Sequence, residues 1–194
     1  MTEASFVPAR REDARTIARL YQISADGVAD YIWTTLAEPG EDPLDVGARR
    51  YARESTAFSY ENCTLAKVGD AVAGMLVAFP MHVDPDAAAE DAPDPVLAPY
   101  ARLEEDDSYY VCGVALFPEF RGRGLGRRLM LVAEEQARGR RYGKLSLIVY
   151  EGNEIARGLY ERLGYREVMR AAIVPHPLIH FAEGDALLMV KPLA

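Results

Sequence analysis

An apolar strand that runs through three glycines into an amphipathic helix constrains this chain more than any other feature. Residues 108–117 alternate Tyr110, Cys112, Val114 and Leu116 with Tyr109, Val111, Ala115 and Phe117. Both sets are largely apolar, which predicts a central strand covered on two sides. Residues 124–138 set Leu125, Leu129, Val132, Ala133 and Ala137 on one helical stripe, closed by Gly139. Residues 144–150 read as a second strand. Asn153 then caps a helix carrying Ile155, Leu159 and Leu163, closed by Gly164. Residues 166–174 and 186–190 read as two last strands. Strand, helix, strand, helix, strand from 108 to 174 is an α/β pattern with at least one parallel crossover.

The earlier part of the chain is consistent with that class. A short strand over 5–8 precedes a helix over 11–23, with Ala14, Ile17, Ala18 and Tyr21 at helical spacing and Gly27 at its end. A second helical piece over 28–37 stops at Pro39-Gly40. Asp42-Pro43 opens a third, to about residue 54. Strands over 62–68 and 71–79 flank Gly69-Asp70, a hairpin signal. No internal repeat is visible. The 194 residues, 49% hydrophobic, fit one domain over 1–194, and a domain of this size buries roughly 70% of its unfolded surface. Neither a disulfide nor a metal is needed to fold it.

Charge is unevenly distributed. Residues 81–107 hold nine acidic residues and one arginine, and read as a long surface insertion with a short helix near 96–103. Residues 120–141 hold seven arginines against Glu134 and Glu135, in a chain whose formal net charge is −8. A basic patch within an acidic protein favours a small anionic ligand over a nucleic-acid duplex. The longest near-apolar run, 71–81, contains Gly74 and Pro80 and falls far short of the ~20 residues a bilayer needs, so no membrane span is expected. Cys63 and Cys112 share no metal-ligand spacing with each other or with His82, His176 and His180, so no metal is expected. The first residues lack the basic segment and apolar core of a secretory signal, and a reduced, cytoplasmic setting is the expectation.

The chemistry concentrates in Leu116-Phe-Pro-Glu-Phe-Arg-Gly-Arg-Gly-Leu-Gly-Arg-Arg128. Glycines let the backbone wrap closely around an anion. The helix that follows adds unpaired N–H groups and the positive end of its dipole, and the arginines add charge. Together these make a pyrophosphate cradle. The P-loop pattern is absent, and Arg127 stands where the dinucleotide fingerprint would need its third glycine, which disfavours a nucleotide-dependent oxidoreductase.

Arg121-Gly122-Arg123-Gly124-Leu125-Gly126 resembles the Arg/Gln-x-x-Gly-x-Gly/Ala signature of the GCN5-related N-acetyltransferases (GNAT). Downstream, Asn153-x-x-Ala156-x-x-x-Tyr160-x-x-x-Gly164-Tyr165 resembles that family's second signature, in the right order. The clear resemblance covers about residues 108–170. It implies a mixed, mostly antiparallel central sheet with a splayed parallel strand pair and helices on both faces. It also implies acetyl-CoA as acetyl donor. Backbone groups at Val114, Ala115 and Leu116 would meet the pantetheine and thioester, and the loop Arg121, Gly122, Arg123, Gly124, Leu125, Gly126 and Arg127 would take the pyrophosphate. Asn153 would hold a pantetheine amide. Tyr160, seven residues and about two turns on, would give its proton to the departing thiolate.

The implied activity is direct transfer of acetyl to a primary amine, on a small molecule or a peptide, in a ternary complex. A non-catalytic acyl-CoA sensor on the same fold is the alternative, and Tyr160 favours the enzyme. The general base stays open. Some relatives carry a glutamate on the strand that here holds Ile148, which leaves Glu104, Glu105, Asp106 and Asp107 as candidates. Many proteins of this resemblance pair as homodimers through C-terminal strands, and the apolar run Ala186–Val190 raises the same expectation here, against an internal strand that completes the sheet.

Overall fold

The computed structural model describes residues 3–83, 94–181 and 183–193. Residues 84–93 of the acidic insertion, with Asp84, Asp86, Glu90 and Asp91, lie outside the described residues. Seven strands form one sheet in the order β1-β2-β3-β4-β5-β7-β6. All pairings given by the register are antiparallel except β4 with β5, which is parallel. The chain divides into two compact units, Met1–Ala78 with Gly113–Ala133 and Phe79–Cys112 with Glu134–Ala194.

The first unit begins with β1 (Ala4–Pro8), followed by α1 (Ala14–Ser24), α2 (Val28–Leu36) and α3 (Pro43–Tyr51). Asp42 caps α3 as its Asp-Pro pair predicts, its carboxylate accepting from the Leu44 N–H at 2.9 Å. The helix ends at Tyr51 rather than near 54, and Ser55 beyond it turns the backbone to a φ of +56°. The 11–23 prediction likewise opens with a 3₁₀ turn over Arg11–Asp13 before α1 begins. Buried Ile17, Leu20 and Trp33 bind these helices, and Tyr21 sets its ring edge-on to Tyr51 and Phe58 at 5.5 and 6.1 Å. Each such side chain contributes roughly 1.5–3 kcal/mol by leaving water. Next come β2 (Cys63–Val68) and β3 (Ala71–Met81), joined as the Gly69-Asp70 hairpin. The unit also holds the end of β4 (Ser108–Leu116) and the start of α5 (Leu125–Gly139), where Leu129 is fully buried.

In the second unit the short helix expected near 96–103 is α4 (Ala98–Ala101). The parallel pairing joins Tyr109 to Leu145 and Tyr110 to Ser146, at the entry ends of β4 and β5 (Lys144–Tyr150). Buried Ser108 and Ser146 share a hydrogen bond of 2.7 Å there. α6 (Glu154–Arg162) follows β5, then β6 (Arg166–Ala172) and β7 (Asp185–Pro192). β7 lies between β5 and β6, so the apolarity of Ala186–Val190 is accounted for within the chain.

Two expectations are corrected. Strand 108–117 is not evenly covered. Tyr109, Val111, Gly113 and Ala115 are buried, while Tyr110, Cys112, Val114 and Leu116 are only half-buried. An apolar pattern reports what a face can bury and does not require that protein side chains cover it. Ile155 is not part of a buried stripe. It is 89% exposed, because α6 turns its first apolar residue outward while Leu159 and Leu163 stay half-buried.

Candidate functional site

In the first unit, β4 leads through Phe117 and a 3₁₀ turn (Pro118–Phe120) into the arginine-glycine loop. Phe117 N–H donates to Ala73 O at 3.0 Å, which anchors the strand end. The loop reverses on Gly122 and Gly124, with φ of +73° and +74°. A Cβ at either would meet nothing within 4 Å, so the space beside both is open. The first helical bond runs from Arg128 N–H to Gly124 O at 3.2 Å. The N–H groups of residues 124–127 therefore precede the helical ladder, free to meet an acceptor. These are the features an anion cradle needs.

The arginines divide by role. Arg121 Nε donates to Leu116 O at 3.3 Å and Arg123 Nη2 to Glu119 O at 3.0 Å, so both brace the loop. Arg123 also stacks on Phe120 at 5.5 Å. Arg128 is tied to β1, donating to Ala4 O and lying 4.8 Å over the Phe6 ring. Among the described residues, none of Arg121, Arg123 and Arg127 makes an ion pair. No ion pair among the described residues offsets their positive charge, which favours an anion in the loop. Val114 and Leu116 are half-buried at the strand end and Ala115 is buried.

In the second unit, Asn153 caps α6 as expected, its Oδ1 accepting from Ala156 N–H at 3.2 Å. Tyr160 sits two turns along the same helix, half-buried, its ring 5.8 Å from that of Tyr165. Tyr110, marked in the sequence only by its place in a strand, joins this group. Tyr110 packs edge-on to Phe79 at 5.6 Å. Burial pushes its phenol well above the usual range, and Cys112, Glu104 and Tyr160 lie near enough to oppose a phenolate further. The signal available in sequence was a tyrosine where an aliphatic residue would pack as well.

The four acidic candidates separate by environment. Glu105 is ion-paired to Lys144. Asp106 accepts from the Val83 N–H at 2.9 Å, and this bond, with one from the Asp107 backbone, holds its carboxyl low. Asp107 occupies a turn with φ +50°. Of these four, Glu104 alone shifts the other way: its side chain is exposed, and the protein packed around its base desolvates the carboxyl enough to push it up. Among the described residues no cluster of three or more His, Cys, Asp or Glu is arranged to hold a metal. No helix among them is long and apolar enough to cross a membrane.

The model of the acetyltransferase (GNAT) family matches residues 29–165. The fold resembles a crystal structure described as an acetyltransferase, at 22% identity with a TM-score of 0.66, covering 98% of this chain and all of that one. An N-acetyltransferase from Staphylococcus aureus Mu50 matches at 19% identity and a TM-score of 0.65, covering 96% of this chain and 99% of that one. Ard1 from Thermoplasma volcanium matches at 15% identity and 0.62, with 98% of each chain covered.

Proposed function

Because the chain belongs to the acetyltransferase (GNAT) family, we propose that it moves an acetyl group from acetyl-CoA to a primary amine by direct attack in a ternary complex. The observation that carries this reading is the open glycine turn at Gly122 and Gly124, flanked by arginines that make no ion pair among the described residues. It suits the pyrophosphate of acetyl-CoA. Amides at the end of β4, at Val114, Ala115 and Leu116, would hold the pantetheine and polarise the thioester carbonyl. Asn153 would take a pantetheine amide alongside its capping role. Tyr160 would donate its hydroxyl proton to the leaving sulfur as the carbon–sulfur bond breaks.

Attack requires a neutral amine. Of the four acidic candidates, Glu104 is the one whose carboxyl is raised and the one near the Tyr110 phenol, and it would take the proton from the incoming ammonium. The acceptor is an amine on a small molecule or a peptide.

Acetyl-CoA should raise the melting temperature and NADH should not. A ligand bound only by the native state adds RT ln(1 + [L]/Kd), roughly 2.7 kcal/mol at a hundredfold excess over Kd. A thermal shift with both ligands tests this, and no response to acetyl-CoA would sink the reading. A panel of amines screened for CoA release with a thiol-reactive dye then separates an enzyme from an acyl-CoA sensor, which would bind the donor and release no CoA.

A raised carboxyl is protonated to a higher pH than usual. A base of this kind is active above its folded pKa, so kcat/KM should fall as pH drops through it. Glu104→Gln should remove that acidic limb and lower the plateau by roughly 10²-fold or more. Glu105→Gln should leave the limb in place. An unchanged pH profile in Glu104→Gln would assign the proton to another acceptor.

A further inference from the structure

In the first unit, α3 carries two neighbouring arginines in different surroundings. Arg49 is exposed and ion-paired to Glu41, as a surface arginine often is. Arg50 stands on the inward stripe of the same helix, on the face of buried Val46 and Gly47, and is half-buried. Among the described residues its guanidinium makes no ion pair and no hydrogen bond. Unlike Arg157 Nε, which is shut from solvent without a partner, the Arg50 nitrogens keep contact with solvent, so a ligand can reach them. The guanidinium carbon lies 5.7 Å over the Phe58 ring, a cation–π contact. The titratable groups that act on it are the Arg53 guanidinium and the phenols of Tyr51 and Tyr21 rather than a carboxylate. Burial above all, and then the Arg53 charge, hold it below the usual arginine range, yet it stays a cation at neutral pH. A cation partly withdrawn from water without a counter-ion costs stability, and a bound monoanion would relieve that cost.

The same corner reaches β4. The Tyr21 ring lies 6.1 Å from that of Phe58 and 5.5 Å from that of Tyr51. It also packs on Gly113, where a Cβ would come within 3.3 Å of the ring and 2.7 Å of Ser24 Oγ. α1 therefore lies directly against the β4 backbone beside Val114, the first of the amides given above to the pantetheine and thioester. We propose that Arg50 selects the acceptor: the amine that is acetylated carries a carboxylate, whose two oxygens accept from the Arg50 guanidinium while its amino group extends toward the end of β4. This rests on the acetyl transfer proposed above. A planar guanidinium meets a carboxylate in two parallel hydrogen bonds, and the rings of Phe58 and Tyr21 suit an apolar stem between the acceptor's two ends. A phosphate dianion would call for a second cation, and Arg53 turns its Nε to Arg50 O at 3.0 Å.

The test uses the full chain and matched acceptors: glycine, β-alanine, 4-aminobutyrate and 6-aminohexanoate, each beside its own carboxamide. CoA release at saturating acetyl-CoA gives kcat/KM for every member. At least one acid should be used about tenfold better than its carboxamide, the worth of a charged hydrogen bond. Arg50→Gln should bring that ratio near one, through KM rather than kcat. Arg50→Lys keeps the charge without the paired donors and should keep only part of the preference; it decides the matter should Arg50→Gln fail to fold. Arg53→Gln, at the exposed neighbour, should keep all of it. Where no pair is turned over, the same ratios are read as affinities by calorimetry on the CoA-bound protein. Acetyl-CoA binding separates the two readings. A chain that does not bind the donor sinks the acetyltransferase reading and this anchor with it. A chain that binds the donor and treats acids and carboxamides alike overturns the anchor alone. Full preference in Arg50→Gln or Arg50→Lys, or an equal loss in Arg53→Gln, overturns it as well.

Discussion

Gly124→Asp abolishes acetyl-CoA binding in a protein that still folds: this is the expected result of placing one carboxylate in the arginine-glycine loop. Gly124 has φ +74°, and a Cβ there meets nothing within 4 Å. Aspartate is among the side chains that visit the left-handed region at modest cost, of order 1–2 kcal/mol. The new side chain points into open space beside the N–H groups that precede the α5 ladder. That is where a pyrophosphate would sit. Two like charges about 4 Å apart at an effective dielectric near 20 repel by about 4 kcal/mol, roughly a thousandfold in affinity. Gly40→Asp is the control. Gly40 has φ +82° and equally open surroundings, but no neighbouring cradle. It should show the same small loss of melting temperature and full acetyl-CoA affinity by calorimetry. Unchanged affinity in folded Gly124→Asp would make the loop a plain turn.

What could be read in the sequence, and what could not, follows from the range of the interactions involved. The β4-loop-α5 unit and the α6 cap were legible because their signals are local. Asp42, Asn153 and Gly164 act within a few residues of themselves, and each does what its type predicts. Coverage of β4 was not legible. An apolar face at Tyr110, Cys112, Val114 and Leu116 reads as core, yet the chain leaves it half-buried. The four acidic residues before β4 look alike in sequence. Their separation depends on Lys144, 39 residues from Glu105, and on the Val83 N–H, 23 residues from Asp106. Tyr110 was missed for a related reason, since the neighbours that mark it, Phe79 and Tyr160, are distant along the chain. The apolar tail 186–190 was compatible with an edge or an interior strand, and only the order β5-β7-β6 decides for the interior.

Tyr160→Phe should cut turnover far more than it weakens acetyl-CoA binding. The substitution keeps the ring, and so its packing 5.8 Å from Tyr165, and deletes only the hydroxyl. If that hydroxyl protonates the leaving sulfur, its loss removes a contribution of typically 10²–10⁴-fold. The lower part of that range is expected, because water can partly replace the phenol on a half-buried helix face. Donor affinity should change by no more than one hydrogen bond, about 1 kcal/mol or fivefold. The two numbers together separate a proton donor from a packing residue, since a packing defect lowers stability and binding in step with rate. The pH profile adds a second readout. Glu104→Gln should remove the acidic limb, and Tyr160→Phe should leave that limb in place while lowering the plateau. The measurement is steady-state CoA release with the amine found by screening, beside calorimetry of acetyl-CoA. Full turnover in Tyr160→Phe would mean that the thiolate leaves without its help, or that a step other than chemistry limits the rate. A single-turnover experiment distinguishes those two, because only the first predicts an unchanged rate of acetyl transfer on the enzyme.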